Sequence, residues 1–407
     1  MKKAAVILLI IAMVQSVFTA NAFAADTSSA VDLVISSNSC GAGGSIKISS
    51  SAGFSRIYIE WGNIPGEWTL KAGGKEHQFG LNGFQHEYVE LAEDVKEAEL
   101  CMPKGARIYL IKAFPKDGLP LPEDIEVWEP QPEKADVLVF ATHPDDDVLF
   151  LGGAIATLAK NTDLKIEVVH LMGYFNKTTV REHERMNGLW ALGVKQYPQT
   201  GRFDAAHEGY WLYSGEWKGF FGVTEFVTEM IRRFKPQIVI THDLNGEYGH
   251  LRHQRLAHAV ADAVEKTMDP SFCPQSAGTY GVWDVQKTYL HLYGENKIVL
   301  DLRQPLECAG GKTALQAAKD AYKKHVSQQS GWYYVTDDPD DPRSSEINAA
   351  YFGLYRTTVG PDSGNDMTEH IVSYAQQERA DAKAGAMDKI KEVPRKLKER
   401  LEQLAKF

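Results

Sequence analysis

The 407-residue sequence predicts an α/β protein with a mostly parallel sheet and helices on both faces, preceded by an all-β, sandwich-like domain. Two observations predict this fold class. Residues 26–130 contain short runs that alternate polar and apolar residues, with Gly, Pro and Asn between them, as half-buried strands do. From about residue 135, continuous apolar runs alternate with helical patterns, and that order indicates a parallel sheet with right-handed crossovers. The second unit is therefore expected to be Rossmann-like.

Residues 1–24 have the pattern of a secretory signal peptide. Lys2 and Lys3 precede the apolar run Ala4–Val14, and Ala22–Ala24 fits an A-x-A cleavage site. We therefore expect a mature chain that begins at Ala25 and is secreted or held at the cell surface, with an uncleaved anchor as the alternative. No later segment is apolar enough to predict a transmembrane segment in the mature chain.

Residues 25–130 are predicted to form the β-sandwich-like domain. Ser45–Ser49 and Arg56–Trp61 alternate wholly or in part as half-buried strands. Trp61 and Trp68 are expected to pack in the core or between domains, although a carbohydrate-binding platform is an alternative. The proline-rich passages 115–122 and 130–132 indicate a stiff, extended connection to the next domain.

Residues 131–365 are predicted to form the α/β domain, and its elements can be placed in order. Gly152 and Gly153 allow close packing near the start of the first helix, and Gly193 ends the second. Pro236 separates a helix from the strand that follows it. The predicted strands are 137–141, 165–171, 237–241 and 287–292, and the predicted helices are 149–159, 180–192, 226–234, 256–264 and 313–325.

Residues 366–407 are predicted to be a charged helical tail. Ile390, Leu397 and Leu404 belong to a heptad-like apolar pattern that Pro394 interrupts. A partly frayed, exposed helix is the expectation, and docking to another surface or a short coiled coil is the alternative.

Charge and cysteine content limit the partners and the compartment. A formal net charge of -10 argues against nucleic-acid binding, which needs a basic face. The four cysteines of an exported chain permit two disulfides, and we favour Cys40–Cys101 and Cys273–Cys308 over four buried thiols. The sequence leaves the oligomeric state open.

The first chemical motif follows the strand at 137–141. The apolar run ends in His143, Pro144 and the carboxylates Asp145, Asp146 and Asp147. Adjacent carboxylates repel one another unless a positive charge lies among them, and a metal ion is the usual one. His143 and Asp146 offer a nitrogen and an oxygen ligand, which leaves Asp145 to act as a base.

The second motif follows the strand at 237–241 and includes His250 and His253. Ligands of an open α/β sheet bind beyond the carboxyl ends of the strands, so both motifs can face one crevice. With one of these histidines, His143 and Asp146 form a set that suits zinc or ferrous iron. Such an ion makes a water molecule more acidic, Asp145 can accept its proton, and the other histidine can act as an acid or an oxyanion donor.

These motifs resemble those of the zinc-dependent de-N-acetylases of the PIG-L / LmbE-like family. The (A/S)HPDDE motif of the family is Thr142–Asp147 here, and its G-x-Y-G-H-x-x-H pattern is Gly246–His253. Between them the R-x-x-E helix that ends in Leu-Gly is represented by Arg181–Glu184 and Leu192–Gly193. The resemblance covers roughly residues 135–360.

The resemblance implies zinc held by His143, Asp146 and His253, with Fe²⁺ or Co²⁺ as other candidate metals. It implies four catalytic residues: Asp145 as general base, His250 as acid or oxyanion stabiliser, Tyr248 near the carbonyl oxygen, and Arg181 orienting Asp145 or contacting sugar. The implied substrate is an N-acetylated amino sugar, commonly N-acetylglucosamine within a glycan or glycoconjugate. Two rival functions remain: hydrolysis of another amide or an ester, and carbohydrate binding without turnover.

Two positions depart from the family pattern. The final Glu of the first motif is Asp147 here, and it receives no role. In many relatives an Asp precedes the last histidine of the second motif, where this chain has Arg252. Arg252 could attract an anionic substrate, but we expect a solvated arginine.

For the other candidate residues, a purely structural role is at least as well supported as a functional one. Asp243 and Glu247 are either acceptors for the histidines or simple loop carboxylates. His242 and His258 are expected to be structural. Candidates for sugar contacts, which are more often core or loop residues, are Asp204, Trp211, Trp217 and Trp332.

Overall fold

The computed structural model describes residues 30–38, 44–116, 120–173, 179–204, 221–306 and 310–384. The signal-like segment 1–24, most of the charged tail, and the side chain of Asp204 lie outside this part of the chain. One cysteine of each predicted disulfide does too, so both pairings stay predictions. These cysteines are Cys40 and Cys308, and the sugar-contact candidates Trp211 and Trp217 also lie outside the described residues.

The N-terminal strands form one antiparallel sheet in the order β1-β2-β5-β3-β4, with β6 also paired to β2. We call these strands the β-region; that residues 25–130 form an independent sandwich domain stays a prediction. The strands are β1 (Val34–Asn38), β2 (Ser45–Trp61), β3 (Trp68–Ala72), β4 (Lys75–Phe79), β5 (His86–Cys101) and β6 (Ile108–Phe114).

The long strand β2 pairs with different strands along its length. Its first half pairs with β1 and its second half with β6, and the pairing with β5 is irregular near Gly53, where φ is +79°. Ile48 from the first half and Ile59 from the second nevertheless pack in the same apolar cluster. Trp61 and Trp68 are buried there, as expected, and both indole N–H groups donate to Glu87.

The second sheet has the order β12-β13-β11-β10-β7-β8-β9. Strands β11, β10, β7, β8 and β9 pair in parallel, and β13 and β12 add antiparallel pairs at one edge. The predicted mixed α/β architecture is confirmed. The strands are β7 (Val137–Ala141), β8 (Ile166–Gly173), β9 (Gln199–Asp204), β10 (Ile238–Thr241), β11 (Lys287–His291), β12 (Lys297–Val299) and β13 (Tyr351–Thr357).

Helices cover both faces of this sheet because alternate residues of its buried strands point to opposite sides. Val137 and Val139 pack with α2, α3 and α7, whereas Leu138 and Phe140 pack with α4 and α5. The helices are α1 (Asp146–Leu149), α2 (Gly152–Ala159), α3 (Thr179–Ala191), α4 (Phe221–Phe234), α5 (Leu251–Lys266), α6 (Pro274–Tyr280), α7 (Ala314–Lys324) and α8 (Ser344–Ile347). Residues 374–384 are also helical.

Two element predictions need correction. The helix predicted at 149–159 is divided into α1 and α2, with the break at Phe150–Leu151. Strands β9, β12 and β13 were not predicted, because their sequences lack the continuous apolar run of a central strand.

Two residues between the proline-rich passages are buried rather than exposed. Glu126 and Trp128 are 1% and 6% exposed. Phe84 of the β-region stacks on Tyr197 with ring centroids 4.5 Å apart. Glu126 and Trp128 therefore anchor the segment between the two sheets, although Glu129 and Pro130 beside them are exposed.

The order of the strands fixes where a ligand can bind. From β7 the chain continues to β8 on one side, while β10 lies on the other side. A crevice opens at such a reversal, beyond the carboxyl ends of the strands. Both sequence motifs directly follow these strands, at Thr142 and His242. None of the described helices combines the length and hydrophobicity needed to cross a bilayer.

Candidate metal centre and active site

The turn after β7 and the start of α5 bring the three predicted metal ligands together. Asp146 begins α1, and its Oδ2 accepts a hydrogen bond from the His143 backbone N–H at 2.7 Å. The same oxygen lies 2.9 Å from His143 Nδ1 and 3.1 Å from His253 Nε2. Asp146 and His253 are fully buried or nearly so.

A tight turn places the two histidines of the second motif. Gly246 has φ +68°, and a Cβ there would lie 2.4 Å from the His250 carbonyl oxygen, so the turn requires glycine. The chain then enters α5, with His250 as its N-cap and His253 in its first turn. Their ring centroids are 4.3 Å apart, on the same face as the spacing predicted.

Glu247 organises the histidines behind the ligands. Its fully buried carboxylate accepts hydrogen bonds from the Nδ1 atoms of His242, His253 and His291 at 2.7–2.8 Å. Burial alone would raise the pKa of Glu247, but these histidines hold it well below its usual range. Of the two interpretations that the sequence left open for Glu247, the structure therefore supports the acceptor.

The contact between His253 and Asp146 fits a metal site. His253 Nδ1 bonds Glu247, and its Nε2 lies 3.1 Å from an Asp146 carboxylate oxygen. This contact is favourable when a cation lies between the two atoms, either a proton on Nε2 or a metal ion held by both residues. Against the opposing effect of burial, Asp146 and Glu247 raise the pKa of His253 to about 10. Two imidazoles and one carboxylate are a common zinc ligand set.

Asp145 lies next to the ligands but has a different environment. Burial, and then the charge of Asp146, raise the pKa of Asp145 to about 7, against the opposing charge of Arg181. Arg181 Nη2 lies 3.1 Å from Asp145 Oδ1 and also donates to the Pro144 carbonyl at 2.7 Å. A carboxyl whose pKa lies near neutrality is suited to exchange protons with a substrate.

Asp147, which the sequence left without a role, supports the turn. One of its oxygens accepts the Asp145 backbone N–H at 3.1 Å and lies 3.2 Å from His170 Nε2. Burial alone would raise the pKa of Asp147, but the neighbouring His170 lowers it. His170 stands on β8, so the aspartate connects the motif to the next strand.

Several of the side chains of this site line one pocket of about 170 Å³. Burial, together with the charges of His253 and His143, lowers the pKa of His250 to about 4. Burial also raises the pKa of Tyr248, whose ring lies 5.6 Å from that of His250. Both groups are therefore neutral near pH 7. The pocket is lined by His143, Asp145, Asp146, Leu149, Arg181, Tyr248, His250, Gln328 and Tyr333.

The sequence analysis missed or misplaced several neighbours of the pocket. Gln328 and Tyr333 were missed, since they are distant in sequence and belong to no motif. Arg252, expected to be solvated, is 7% exposed, and its Nη1 lies 3.5 Å from His143 Nε2. Its burial follows from its place in the first turn of α5, where its guanidinium approaches the His143 imidazole.

The remaining candidates divide between structural and exposed positions. His242 is buried, as expected, and its Nε2 accepts the Thr142 N–H at 3.0 Å. His258 is exposed, because it lies on the outer face of α5. Trp332 is 60% exposed and lies beside the Arg343 guanidinium. The backbone N–H of Asp243 donates to the Glu247 carboxylate at 3.2 Å.

Comparison with known proteins finds a family model that matches the part of the chain that carries this site. Residues 138–264 match the family model PIG-L, described as GlcNAc-PI de-N-acetylase. The "1D-myo-inositol 2-acetamido-2-deoxy-alpha-D-glucopyranoside deacetylase 1" of Catenulispora acidiphila is 25% identical over 212 residues, which cover 45% of this chain and 64% of that protein. The deacetylase 2 of the same description from Saccharopolyspora erythraea is 36% identical over 159 residues, or 35% of this chain and 56% of that protein. The match thus spans less than two thirds of the length of either relative.

Solved structures give similar but distant matches. The N,N'-diacetylchitobiose deacetylase of Pyrococcus horikoshii is 20% identical, with a TM-score of 0.37 over 48% of this chain and 72% of that chain. A zinc-inhibited form of a teicoplanin deacetylase is 16% identical, with a TM-score of 0.32 over 47% of this chain and 84% of that chain.

Proposed function

Because residues 138–264 form a PIG-L family domain, we propose that this chain is a metal-dependent hydrolase that removes the acetyl group from an N-acetylated amino sugar. The expected substrate is a GlcNAc-type residue in a glycan or glycoconjugate. One observation supports this most directly: the candidate ligands His143 and Asp146 line a single pocket with Asp145, and the third ligand, His253, lies 3.1 Å from Asp146 Oδ2. The deacetylase names of the relatives agree with the proposal.

His143, Asp146 and His253 are the residues that would hold the metal, and Zn²⁺ is the ion that we propose. When bound, the ion supplies Lewis acidity, which polarises the acetamide carbonyl and makes water more acidic. Glu247 keeps the Nε2 lone pair of His253 directed toward the ligand position.

Asp145 is proposed to move the proton. In its ionised form it accepts a proton from the attacking water, and as the resulting acid it can deliver that proton to the leaving amine. Arg181 holds the carboxylate in place through Oδ1 and through the Pro144 carbonyl.

His250 and Tyr248 are proposed to stabilise the oxyanion. Since the pKa of His250 is about 4, its imidazole is neutral near pH 7 and acts as an N–H donor better than as a proton source. We therefore propose the oxyanion role rather than the acid role for this histidine. The Tyr248 hydroxyl, which also stays protonated, is the second candidate donor.

Mass spectrometry of N-acetyl oligosaccharides incubated with zinc-loaded protein tests the function. The expected result is loss of one acetyl group per reacting sugar, with release of acetate. O-acetylated sugars serve as controls, and the Asp145→Asn variant should release acetate about 10²–10⁴-fold more slowly.

Two outcomes would replace the proposal. Preferential release of acetate from the O-acetyl controls would make the protein an esterase. Tight glycan binding without acetate release from any N-acetyl sugar would make it a carbohydrate-binding protein. Export is proposed separately from residues 1–24, and N-terminal sequencing of protein recovered outside the cytoplasm, beginning at Ala25, would support it.

A further inference from the structure

A second cluster of buried histidines and carboxylates lies where the β-region meets helix α3. Glu60 of β2 and His86 of β5 are direct partners across an antiparallel pair, and His183 approaches them from α3. His86 is fully buried, and His183 and Glu60 are 5% and 9% exposed. We call these three residues the joint site.

The donor atoms of the joint site converge. His86 Nε2 lies 2.6 Å from His183 Nδ1, which lies 3.9 Å from Glu60 Oε2. One ligand atom from each residue lies within 4.8 Å of the others. Zinc bonds of 2.0–2.1 Å in a tetrahedral site separate nitrogen donors by about 3.3 Å. Opening the two imidazoles by about 0.7 Å would therefore create the ligand geometry.

The side chains that bond the outer ring nitrogen of His86 are arranged as they are around the histidine ligand of a metal site. His86 Nδ1 bonds Glu126 Oε2 at 2.7 Å, and Trp128 Nε1 donates to the same oxygen at 2.7 Å. A carboxylate in this position favours the tautomer whose Nε2 lone pair points into the site. Glu247 has the same relation to His253 in the catalytic pocket. The Tyr109 ring, stacked at 4.7 Å, limits rotation of the His183 imidazole.

The charge of the cluster also calls for a cation. Two carboxylates, Glu60 and Glu126, are buried beside two imidazoles, and without a metal ion two protons within the cluster would have to compensate their charge. The adjacent cations have carboxylate partners of their own: Lys112 bonds Asp124 at 2.6 Å, and Arg185 bonds Glu182 at 2.6 Å. Uncompensated charge is costly in the interior, and a divalent ion matches two carboxylates.

We propose that Glu60, His86 and His183 bind a divalent metal ion of the zinc class, which links the β-region to helix α3. Because His183 is two residues after Arg181, this ion would also hold the part of α3 that presents Arg181 to Asp145. The joint site shares no ligand with the proposed catalytic centre, so it stands independently of the proposed function.

Metal content per chain tests the proposal. Wild-type protein, stripped with chelator and reloaded with Zn²⁺, is analysed by inductively coupled plasma mass spectrometry. We expect two zinc ions per chain in the wild type, one in His253→Ala, and none in His253→Ala/His183→Ala. The matched control is His253→Ala/His258→Ala, which removes an exposed histidine of α5 and should keep one ion.

A second measurement covers the case in which His183→Ala fails to fold. Glu60→Gln preserves the shape of the side chain, and in the His253→Ala background it should abolish the visible absorption of bound Co²⁺. Circular dichroism verifies the fold. One ion in the wild type and none in His253→Ala would overturn the proposal and leave a hydrogen-bonded cluster only. One ion in each would support the joint site while refuting the catalytic centre.

Discussion

Neighbouring residues with opposite protonation tendencies give the candidate active site its chemistry. Asp145 and Asp146 are adjacent in sequence and both buried, yet the pKa of Asp145 rises to about 7 while His253 and His143 hold that of Asp146 well below its usual range. Adjacent carboxyls with separated pKa values divide the tasks of base and ligand between them. The division comes from their neighbours, because the two side chains are identical.

Replacing Asp145 with Asn tests its role as the base. We expect the rate of acetate release to fall by about 10²–10⁴-fold, since the amide cannot accept the proton. Zinc content, measured by mass spectrometry, should stay equal to that of the wild type. Loss of zinc would instead identify Asp145 as a ligand.

The partner of Asp145 predicts a change in pH dependence. Asp145 acts as the base when ionised, so kcat/KM falls as pH drops through its pKa. The Arg181 charge lowers that pKa, and its removal in Arg181→Met should move the acidic limb of the kcat/KM profile to higher pH. Lys324→Met, an exposed change on α7, is the control. An unchanged limb would show that Arg181 does not act on the ionisation of Asp145.

Glu247 should control metal affinity without taking part in proton transfer. Glu247→Gln weakens the acceptor behind His253, and we expect Zn²⁺ affinity to fall about 10–100-fold. Competition with a chromogenic chelator measures this. Asp243→Asn, which leaves the backbone contact to Glu247 intact, should bind zinc like the wild type.

At the scale of elements, the close approach of α2 to its neighbours depends on glycine. A Cβ at Gly152 would lie 3.1 Å from Ala318 Cβ on α7. At Gly153 it would lie 2.6 Å from Leu302 Cδ1 and 2.9 Å from the Ala349 carbonyl oxygen. Helix α2 therefore packs with its backbone against the protein, as the glycine pair in the sequence predicted.

Alanine at the second of these positions should destabilise the fold. We expect Gly153→Ala to lower the free energy of unfolding by about 1–3 kcal/mol, since the added methyl group overpacks the contact. Gly278→Ala on α6 is the matched control, because its Cβ would meet open space. That change should be neutral or stabilising by about 0.5–1 kcal/mol, measured by urea unfolding.

At the scale of the whole molecule, the interior continues from one sheet to the other. Phe84 of the β-region and Trp128 of the connecting segment belong to the same apolar cluster as Val137. Trp128 also contacts Trp190 edge-on with ring centroids 5.4 Å apart. The two parts are therefore expected to unfold together.

Truncating Trp128 tests this continuity. Trp128→Ala should lower the free energy of unfolding by about 3–5 kcal/mol, within a single transition seen by both fluorescence and circular dichroism. Trp332→Ala removes an exposed indole and should change stability by less than about 0.5 kcal/mol. Two separated transitions in the wild type would contradict the shared interior.

The sequence by itself determined the mixed α/β architecture, most central strands and helices, and which residues of the two motifs meet. Apolar runs followed by polar residues carry this information locally, because strands buried on both faces end where ligands bind. Only the tertiary structure decided that Glu247 accepts from three histidines, that Arg252 is buried, and that Tyr333 lines the pocket. It also decided that Glu60, His86 and His183 meet. These contacts join residues far apart along the chain, and no periodicity in sequence encodes a distance between separate elements.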